Sequence, residues 1–307
     1  MAGTDDVQVT RGDGPVATGG ARVPGRMPVP LPGGAGAGVP DPADVPVVIL
    51  CGGMGTRLRE ASERLPKPLV DIGGKPILWH VMKTYGHHGY RRFVLCLGYK
   101  SELIKRWFLD LREQTSDFTL HLGRDARPVF HGSSATTEDW EVTFAETGLL
   151  TGTGARIRRV APYLDADLFA LTYGDGIGDV DLRAQLAAHV AAGRLATVTG
   201  VHPTSRFGEI RVDDDGRARE FNEKPTSADG WVSGGFFLFA RAFLDKYLDD
   251  DPGLLLEHQP LQAVARDGEL SVFRHEGFWA GMDTYRDWTD LNQRWDTGDA
   301  PWRVWED

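Results

Sequence analysis

A glycine-rich segment with positive charge, CGGMGTR, directly follows the apolar run VVIL. Gly52, Gly53 and Gly55 allow the backbone to approach a ligand closely and to adopt positive φ angles. Successive backbone N–H groups in such a turn form a nest that binds anions. Arg57 adds a planar fork of donors that matches phosphate oxygens. The pattern favours binding of a polyphosphate, and a tight connection between a strand and a helix is its structural alternative.

A lysine on a constrained backbone follows this segment. Lys67 lies between Pro66 and Pro68, and the two prolines restrict the backbone so that the ammonium is held on a stiff segment. An exposed loop lysine is the alternative. Two common phosphate-binding patterns do not apply, because the segment lacks both the third glycine of G-x-G-x-x-G and the sequence G-x-x-x-x-G-K-[ST]. We therefore expect a polyphosphate site of another kind.

Two carboxylates are candidates for a metal site. Asp175 lies between Gly174 and Gly176 after the apolar run LFALT, and Asp283 lies in GFWAGMDT. A carboxylate at the end of a strand suits a hard cation such as Mg²⁺, which takes oxygen ligands and keeps substrate phosphates in its shell. A Gly-Asp-Gly sequence by itself is equally typical of a turn. The spacing leaves open whether the two carboxylates meet at one edge of a sheet.

A third group of residues suits a phosphorylated sugar. In FNEKP, Glu223 could accept hydrogen bonds from sugar hydroxyls and Lys224 could hold a phosphate monoester. A solvated ion pair is the alternative reading of the two residues. Gly234 and Gly235, in SGGFF, again permit a ligand to approach the backbone closely.

The elements that would position these residues alternate between strand and helix. Short apolar runs predict buried strands, and apolar residues at helical spacing between glycine or proline signals predict helices. The predicted strands are 46–50, 92–99, 168–176 and 195–201, and the predicted helices are 76–89, 101–113 and 181–193. This order predicts an α/β fold with a Rossmann-like, mostly parallel sheet flanked by helices. Two alternating segments, 209–216 and 269–277, predict small antiparallel additions. Ligands of such sheets bind at the carboxyl ends of the strands.

Composition limits the class of protein. The chain has 307 residues and a formal net charge of −10, with basic residues scattered along it, which argues against broad binding of nucleic acid or of an anionic membrane. The only cysteines, Cys51 and Cys96, each end an apolar run and are expected to be small buried thiols. The N-terminus has no apolar core of a signal peptide, and no apolar run approaches the length of a membrane span. These features predict a cytoplasmic protein.

The chain changes character near residue 45. Residues 1–44 hold 10 glycines and 7 prolines. Such a segment buries too little apolar surface to offset the conformational entropy that it would lose on ordering. We predict a disordered extension over 1–44 and one domain over 45–307. Trp295, Trp302 and Trp305 crowd the C-terminus, which suggests a docked tail or a subunit contact, and on that basis we expect a homo-oligomer.

Taken together, these motifs resemble the sugar-phosphate nucleotidyltransferases, and within them the bacterial glucose-1-phosphate cytidylyltransferases. The resemblance covers residues 46–307 and rests on LCGGMGTRL, KPLVDIGGKPIL, FNEKP, GFWAGMDTYRD and the tail APWRVWE. It implies that these residues bind CTP: Leu50, Gly52, Gly53, Gly55, Thr56, Arg57, Lys67, Thr151, Arg156 and Gly174. It also implies that Asp175 and Asp283 hold Mg²⁺, and that a hexose 1-phosphate lies against Glu223, Lys224, Gly234 and Gly235.

The reaction that the resemblance implies is attack of a sugar 1-phosphate oxygen on the α-phosphorus of CTP, in line, with release of pyrophosphate. Arg57, Lys67 and Asp175 would be its catalytic residues. Three alternatives remain open at this point: a transferase that uses dTTP or UTP, a catalytically silent nucleotide-binding subunit, and a nicotinamide-dependent oxidoreductase. The missing third glycine disfavours the last of these.

Overall fold

The computed structural model describes residues 38–53, 65–123, 127–131, 138–202, 209–212, 218–222 and 230–306. The extension predicted over 1–44 therefore lies mostly outside the described residues, and its disorder stays a prediction. Its described end includes a short 3-10 helix, Pro42–Asp44, which begins after Asp41, whose side chain accepts a hydrogen bond from the Ala43 N–H.

A mixed sheet forms the centre of the described part of the chain. The strands are β1 (Val47–Leu50), β2 (Asp71–Ile72), β3 (Lys75–Pro76), β4 (Arg92–Leu97), β5 (Phe118–Thr119), β6 (Val129–Phe130), β7 (Glu141–Glu146), β8 (Leu168–Tyr173), β9 (Gly176–Gly178), β10 (Ala196–Val201), β11 (Glu209–Val212), β12 (Ala218–Asn222), β13 (Val232–Ala240), β14 (Leu270–His275) and β15 (Trp279–Gly281). Seven of them form the main sheet in the order β14, β10, β13, β8, β1, β4, β7. All run parallel except β13, which is antiparallel to both of its neighbours.

Helices connect the strands and cover the sheet. They are α1 (Ile77–His87), α2 (Ser101–Leu109), α3 (Leu111–Thr115), α4 (Thr153–Val160), α5 (Leu182–Ala192), α6 (Ala242–Tyr247), α7 (Gln259–Arg266) and α8 (Tyr285–Asp296). Local signals set their ends. The Asp181 side chain caps the first turn of α5, and Gly193, in the left-handed conformation, ends it, as helix termini require.

The predicted fold class is confirmed. The four predicted strands all belong to one mostly parallel sheet, in which β8, β1 and β4 are neighbours and β13 lies between β8 and β10. One strand prediction is wrong. Segment 269–277 was expected to be an antiparallel addition, but β14 pairs in parallel with β10 from Ala196↔Leu270 to Val201↔His275. β14 is an edge strand with partly exposed residues along it, so its alternating pattern imitates that of an antiparallel strand. The described part of the other segment, 209–212, does form an antiparallel ribbon, β11 with β12.

The core lies on both faces of the central strands. All four residues of β1 are buried, and β13 brings a run of buried phenylalanines between β8 and β10, including Phe236, Phe237 and Phe239. Such continuous apolar runs are typical of strands with helices on both faces. Cys51 and Cys96 are buried thiols without a disulfide, as predicted. Within the described residues no helix combines the length and apolar character needed to span a bilayer.

The aromatic C-terminus is docked on the body of the same chain. Trp302 is fully buried and Trp305 is 5% exposed. The Trp305 ring lies edge-on to that of Trp79, with centroids 5.7 Å apart, and Trp295 packs likewise on His80 at 4.9 Å. These tryptophans therefore have an intramolecular role. The expected homo-oligomer stays a prediction, but it loses the argument on which it was based.

Candidate active site

A cavity of about 540 Å³ opens where β1 and β8 end. The two strands are parallel neighbours, with Leu50 paired to Tyr173, so the segments that follow them leave the sheet side by side. Both the glycine segment and the Gly-Asp-Gly segment therefore reach one place, as expected for a parallel sheet. The cavity is lined by Leu50, Cys51, Gly52, Gly53, Lys67, Pro68, Leu149, Leu150, Thr151, Gly152, Thr153, Arg156, Tyr173, Gly174, Asp175, Gly253, Leu255 and Asp283.

Lys67 joins the two candidate metal ligands. Its ammonium lies 2.6 Å from Oδ2 of Asp175 and 2.7 Å from Oδ1 of Asp283. The lysine side chain is only 13% exposed, whereas the two carboxylates are 34% and 38% exposed. Burial alone lowers the pKa of Lys67, but the charge and hydrogen bonds of the two aspartates outweigh it, and the pKa is raised. Lys67 is therefore positively charged where it lines the cavity.

Backbone pairing holds the two carboxylates at this spacing. β9, which follows Asp175, pairs antiparallel with β15, which precedes Asp283. The Met282 N–H donates to the Asp175 carbonyl at 2.9 Å. On the far side, Oδ2 of Asp287 accepts from the backbone N–H of Asp283 at 3.0 Å, as part of the cap that begins α8. Asp283 is thus held between a ribbon and a helix terminus.

Lys67 has an equally well-defined backbone. Lys67–Leu69 form a 3-10 turn in which the Leu69 N–H donates to the Pro66 carbonyl at 2.8 Å and the Val70 N–H donates to the Lys67 carbonyl at 3.1 Å. The proline on either side fixes φ and restricts its neighbour. The predicted stiff lysine segment is confirmed, and only the four-carbon side chain keeps rotational freedom.

Arg156 lines the same cavity as Lys67 and binds the loops around it. The residue is 5% exposed, and burial lowers its pKa. All five N–H donors of a guanidinium are committed to the chain, to the carbonyls of Thr151, Leu97, Gly52 and Leu149 and to the Thr147 hydroxyl. Within the described residues the guanidinium therefore shapes the loops around the cavity, and the predicted contact with a nucleotide stays a prediction.

The two described glycines of the first segment, Gly52 and Gly53, differ in the space around them. A Cβ at Gly52 would lie 2.0 Å from Nη1 of Arg156, whereas a Cβ at Gly53 would meet none of the described residues within 4 Å. Gly174 faces the Leu50 carbonyl, which a Cβ would approach to 3.2 Å. Thr151 also lines the cavity, and its hydroxyl accepts from Nη1 of Arg159 at 2.9 Å. Gly52 is required by the buried arginine, which leaves Gly53 open towards a ligand.

A contact between β15 and β13 was not identified from the sequence. Trp279, on β15, donates its indole N–H to the Gly234 carbonyl at 2.7 Å. Gly235 has a φ of 78°, and a Cβ there would approach the Tyr173 ring to 2.9 Å. The two predicted sugar-side glycines therefore contact the strands that carry the metal candidates. The position of Trp279 close to Asp283 in sequence is the one signal that pointed to it.

Tyr173, which lines the cavity, is linked to α4 through Glu257. Its hydroxyl donates to Oε1 of Glu257, and the hydroxyl of Thr153, the first residue of α4, donates to Oε2 of the same carboxylate at 2.6 Å. Burial, and then the negative charge of Glu257, raise the pKa of Tyr173, so its phenol keeps its proton. Tyr173, Thr153 and Glu257 were not predicted as site residues, because their contacts join segments far apart in the chain.

Several predicted site residues lie outside the described residues: Gly55, Thr56, Arg57, Glu223 and Lys224. For those inside, the donor chemistry fits the expected metal. Asp175 and Asp283 both bind the Lys67 ammonium, so one oxygen of each carboxylate lies at the same positive charge. Among the described residues no cluster of three or more His, Cys, Asp or Glu side chains is placed to hold a metal. A metal at this pair would need further oxygen ligands, and substrate phosphates are of the right kind.

Comparison with known proteins agrees with this architecture. The nucleotidyl transferase family matches residues 46–294. The glucose-1-phosphate cytidylyltransferase of Salmonella typhi is 44% identical over 260 residues, which cover 84% of this chain and 99% of that protein. The same figures hold for the enzyme of Salmonella typhimurium strain LT2. The crystal structure of HddC from Yersinia pseudotuberculosis has a TM-score of 0.60 and 23% identity and covers 82% of this chain and 99% of that one, which shows the fold alone.

A parallel sheet with a glycine segment and paired carboxylates at its carboxyl edge defines an α/β protein that binds phosphorylated ligands. The chain belongs to the nucleotidyl transferase family and is an enzyme of that family. The resemblance to glucose-1-phosphate cytidylyltransferases that its motifs indicate is confirmed at 44% identity over nearly the full length of those relatives.

Proposed function

We propose that this enzyme transfers a cytidylyl group from CTP to α-D-glucose 1-phosphate and releases CDP-glucose and pyrophosphate. The observation that carries the proposal is the position of Lys67 between Asp175 and Asp283, at 2.6 and 2.7 Å. It places one lysine and two acidic groups beside the glycine segment, where two anionic substrates need charge compensation. The cytidylyltransferase relatives support the choice of base and sugar.

In the proposed reaction a phosphate oxygen of the sugar 1-phosphate forms a bond to the α-phosphorus of CTP, and the bond from that phosphorus to the bridging oxygen of pyrophosphate breaks. A phosphate monoester has a second pKa of about 6 and is largely dianionic at neutral pH, so no strong general base is needed. The obstacle is the repulsion between two anions. Positioning both substrates in one cavity supplies much of the remaining rate enhancement.

The chain's own residues would divide this work. Leu50, Gly53 and Gly174 would receive the nucleotide at the edge of the sheet, and Lys67, with Arg57, would stabilise the departing pyrophosphate. Asp175 and Asp283 would hold Mg²⁺, which when bound supplies compensation for the charge of the phosphates. We propose that Gly234 and Gly235 face the sugar phosphate together with Glu223 and Lys224. We also propose that the enzyme acts in the cytoplasm as a homo-oligomer.

Pyrophosphate release tests this function. The purified enzyme is incubated with Mg²⁺ and each of CTP, dTTP, UTP, ATP and GTP, paired with glucose 1-phosphate and with mannose 1-phosphate. We expect CTP and glucose 1-phosphate to be the preferred pair, with CDP-glucose identified by mass. Release with dTTP or UTP but not with CTP would contradict the choice of base, and no release with any pair would favour a silent nucleotide-binding subunit.

The role of the acidic pair is tested in the same assay. Asp175→Asn keeps the shape of the side chain but removes its charge, so we expect turnover to fall by at least about a thousandfold while the fold survives. Asp179→Asn is a matched control on the other end of β9, outside the cavity lining, and should keep most of the activity. Activity of Asp175→Asn close to that of the unaltered enzyme, with Mg²⁺ present, would refute the metal assignment.

A further inference from the structure

The Lys67 ammonium and a divalent cation need the same partners. In the structure, one oxygen of Asp175 and one of Asp283 bind the ammonium at hydrogen-bond distance. A metal on those oxygens would take the place of Nζ, since Mg²⁺ binds carboxylate oxygens at about 2.0–2.1 Å. A metal on the other oxygens of the same carboxylates would lie within a few ångströms of the ammonium and be repelled by it. In either case the lysine opposes the metal.

The carboxylates are held in place, and the lysine tip is not. Asp175 and Asp283 are tied to each other through the Met282 N–H, and Asp283 is tied to the start of α8 through Asp287. The Lys67 backbone is fixed in its 3-10 turn, but its side chain rotates about four bonds. If the two cations cannot share the site, the group that moves is therefore the ammonium.

The cavity contains a second position at which the Lys67 ammonium could bind an anion. Lys67 lines the same cavity as Gly52 and Gly53, where the nucleotide phosphates are proposed to bind. Among the described residues, the carboxylates that bind the ammonium are those of Asp175 and Asp283. When a nucleotide brings phosphates into the cavity, the lysine gains another anionic partner within reach of its side chain.

We propose that Lys67 acts as an exchangeable counter-ion, which occupies the carboxylates of Asp175 and Asp283 in the empty enzyme and gives them up to the metal when the nucleotide phosphates arrive. This inference rests on the proposed function for the identity of the second partner. Its consequence is that the enzyme binds a divalent cation poorly by itself and well with the nucleotide, because each ligand removes an obstacle to the other.

Direct titration with Mn²⁺ tests the exchange without any turnover. Unbound Mn²⁺ is counted by its electron paramagnetic resonance signal, with no nucleotide and no sugar phosphate present. We expect Lys67→Met, which removes the competing charge, to bind Mn²⁺ at least about tenfold more tightly than the unaltered enzyme. Lys67→Arg keeps a cation and should stay close to the unaltered affinity. The double variant Lys67→Met, Asp175→Asn should lose the gain, which assigns it to this pair of carboxylates.

Two further variants keep the test decisive. Lys105→Met removes another lysine that is paired with a carboxylate, Glu146, outside the cavity lining, and should leave Mn²⁺ affinity unchanged. Lys67→Gln is neutral but still donates hydrogen bonds to the carboxylates, so it replaces Lys67→Met if thermal unfolding shows that the latter does not fold.

Mn²⁺ affinity in the neutral variants that is equal to or weaker than that of the unaltered enzyme overturns the exchange, and so does the absence of measurable binding in them. The titration uses no substrate, so its failure is distinct from failure of the pyrophosphate assay.

Discussion

Arg156 and Gly52 occupy adjoining space so closely that residue 52 can have no side chain. Nη2 of Arg156 donates to the Gly52 carbonyl at 3.3 Å, and a Cβ on residue 52 would lie 2.0 Å from Nη1. The guanidinium is buried and all of its N–H donors are bonded within the chain, so it cannot move away from residue 52 without losing hydrogen bonds. The course of residues 51–53 out of β1 is therefore set by an arginine on α4.

This contact predicts different results for two adjacent glycines. Gly52→Ala should displace either the segment or the guanidinium, and we expect the free energy of unfolding to fall by about 1–3 kcal/mol, as in other overpacked sites. We expect the KM for CTP to rise by at least about tenfold, since the phosphate-facing segment shifts. Urea unfolding and initial rates at varied CTP measure the two effects.

Gly53→Ala is the matched control. A Cβ at residue 53 would meet no atom of the described residues within 4 Å, so stability should change by less than about 0.5 kcal/mol. If Gly52→Ala is as stable and as active as Gly53→Ala, the arginine does not determine the course of the segment.

The indole of Trp279 predicts an effect on the sugar side alone. Trp279→Phe keeps an aromatic ring but removes the hydrogen bond to the Gly234 carbonyl, which should lower the free energy of unfolding by about 1 kcal/mol. Because Gly234 is proposed to face the sugar phosphate, we expect the KM for glucose 1-phosphate to rise several-fold while the KM for CTP stays nearly constant.

Trp288→Phe separates the two consequences of that change. Trp288 also donates its indole N–H to a carbonyl, that of Asp71 at 2.8 Å, but it is not among the nearest neighbours of Gly234 and Gly235. It should show a similar loss of stability with both KM values unchanged. An equal rise of both KM values in Trp279→Phe would show that the indole supports the whole site rather than the sugar side.

Two buried histidines predict a loss of stability in mild acid. Burial lowers the pKa of His80 to about 4 and that of His189 to about 4, whereas an exposed histidine has a pKa of about 6.5. Between these values the unfolded chain binds protons that the native state does not, so the free energy of unfolding falls as the pH decreases from about 6.5 to about 4. Each histidine accounts for up to about 3 kcal/mol at the lower end of this range.

Urea unfolding at pH 7.5, 6.0 and 5.0 measures this dependence. His189→Gln removes one titrating group and retains a hydrogen-bonding side chain near the Thr197 hydroxyl, which His189 contacts at 2.7 Å. The difference in stability between pH 7.5 and pH 5.0 should therefore shrink. His121→Gln, at an exposed position, should leave that difference unchanged. A pH dependence in His189→Gln identical to that of the unaltered chain would exclude His189 as a source.

The amino-acid sequence by itself determined the local framework and the types of residue in the site. Apolar runs such as VVIL are buried on both faces of a sheet, and proline on both sides of Lys67 fixes a turn, because these properties depend on neighbouring residues. The sequence also predicted that the segments after β1 and β8 lie at the same edge of the sheet, since the carboxyl ends of parallel strands lie at one edge.

The tertiary structure alone decided which side chains meet. Lys67 is separated by 108 residues from Asp175 and by 216 from Asp283, and their convergence depends on the pairing of β9 with β15. The parallel direction of β14 and the use of all five Arg156 donors within the chain likewise arise from contacts between distant segments. A local pattern records burial and turns but carries no information about a partner that far along the chain, so these contacts are decided only when the sheet assembles.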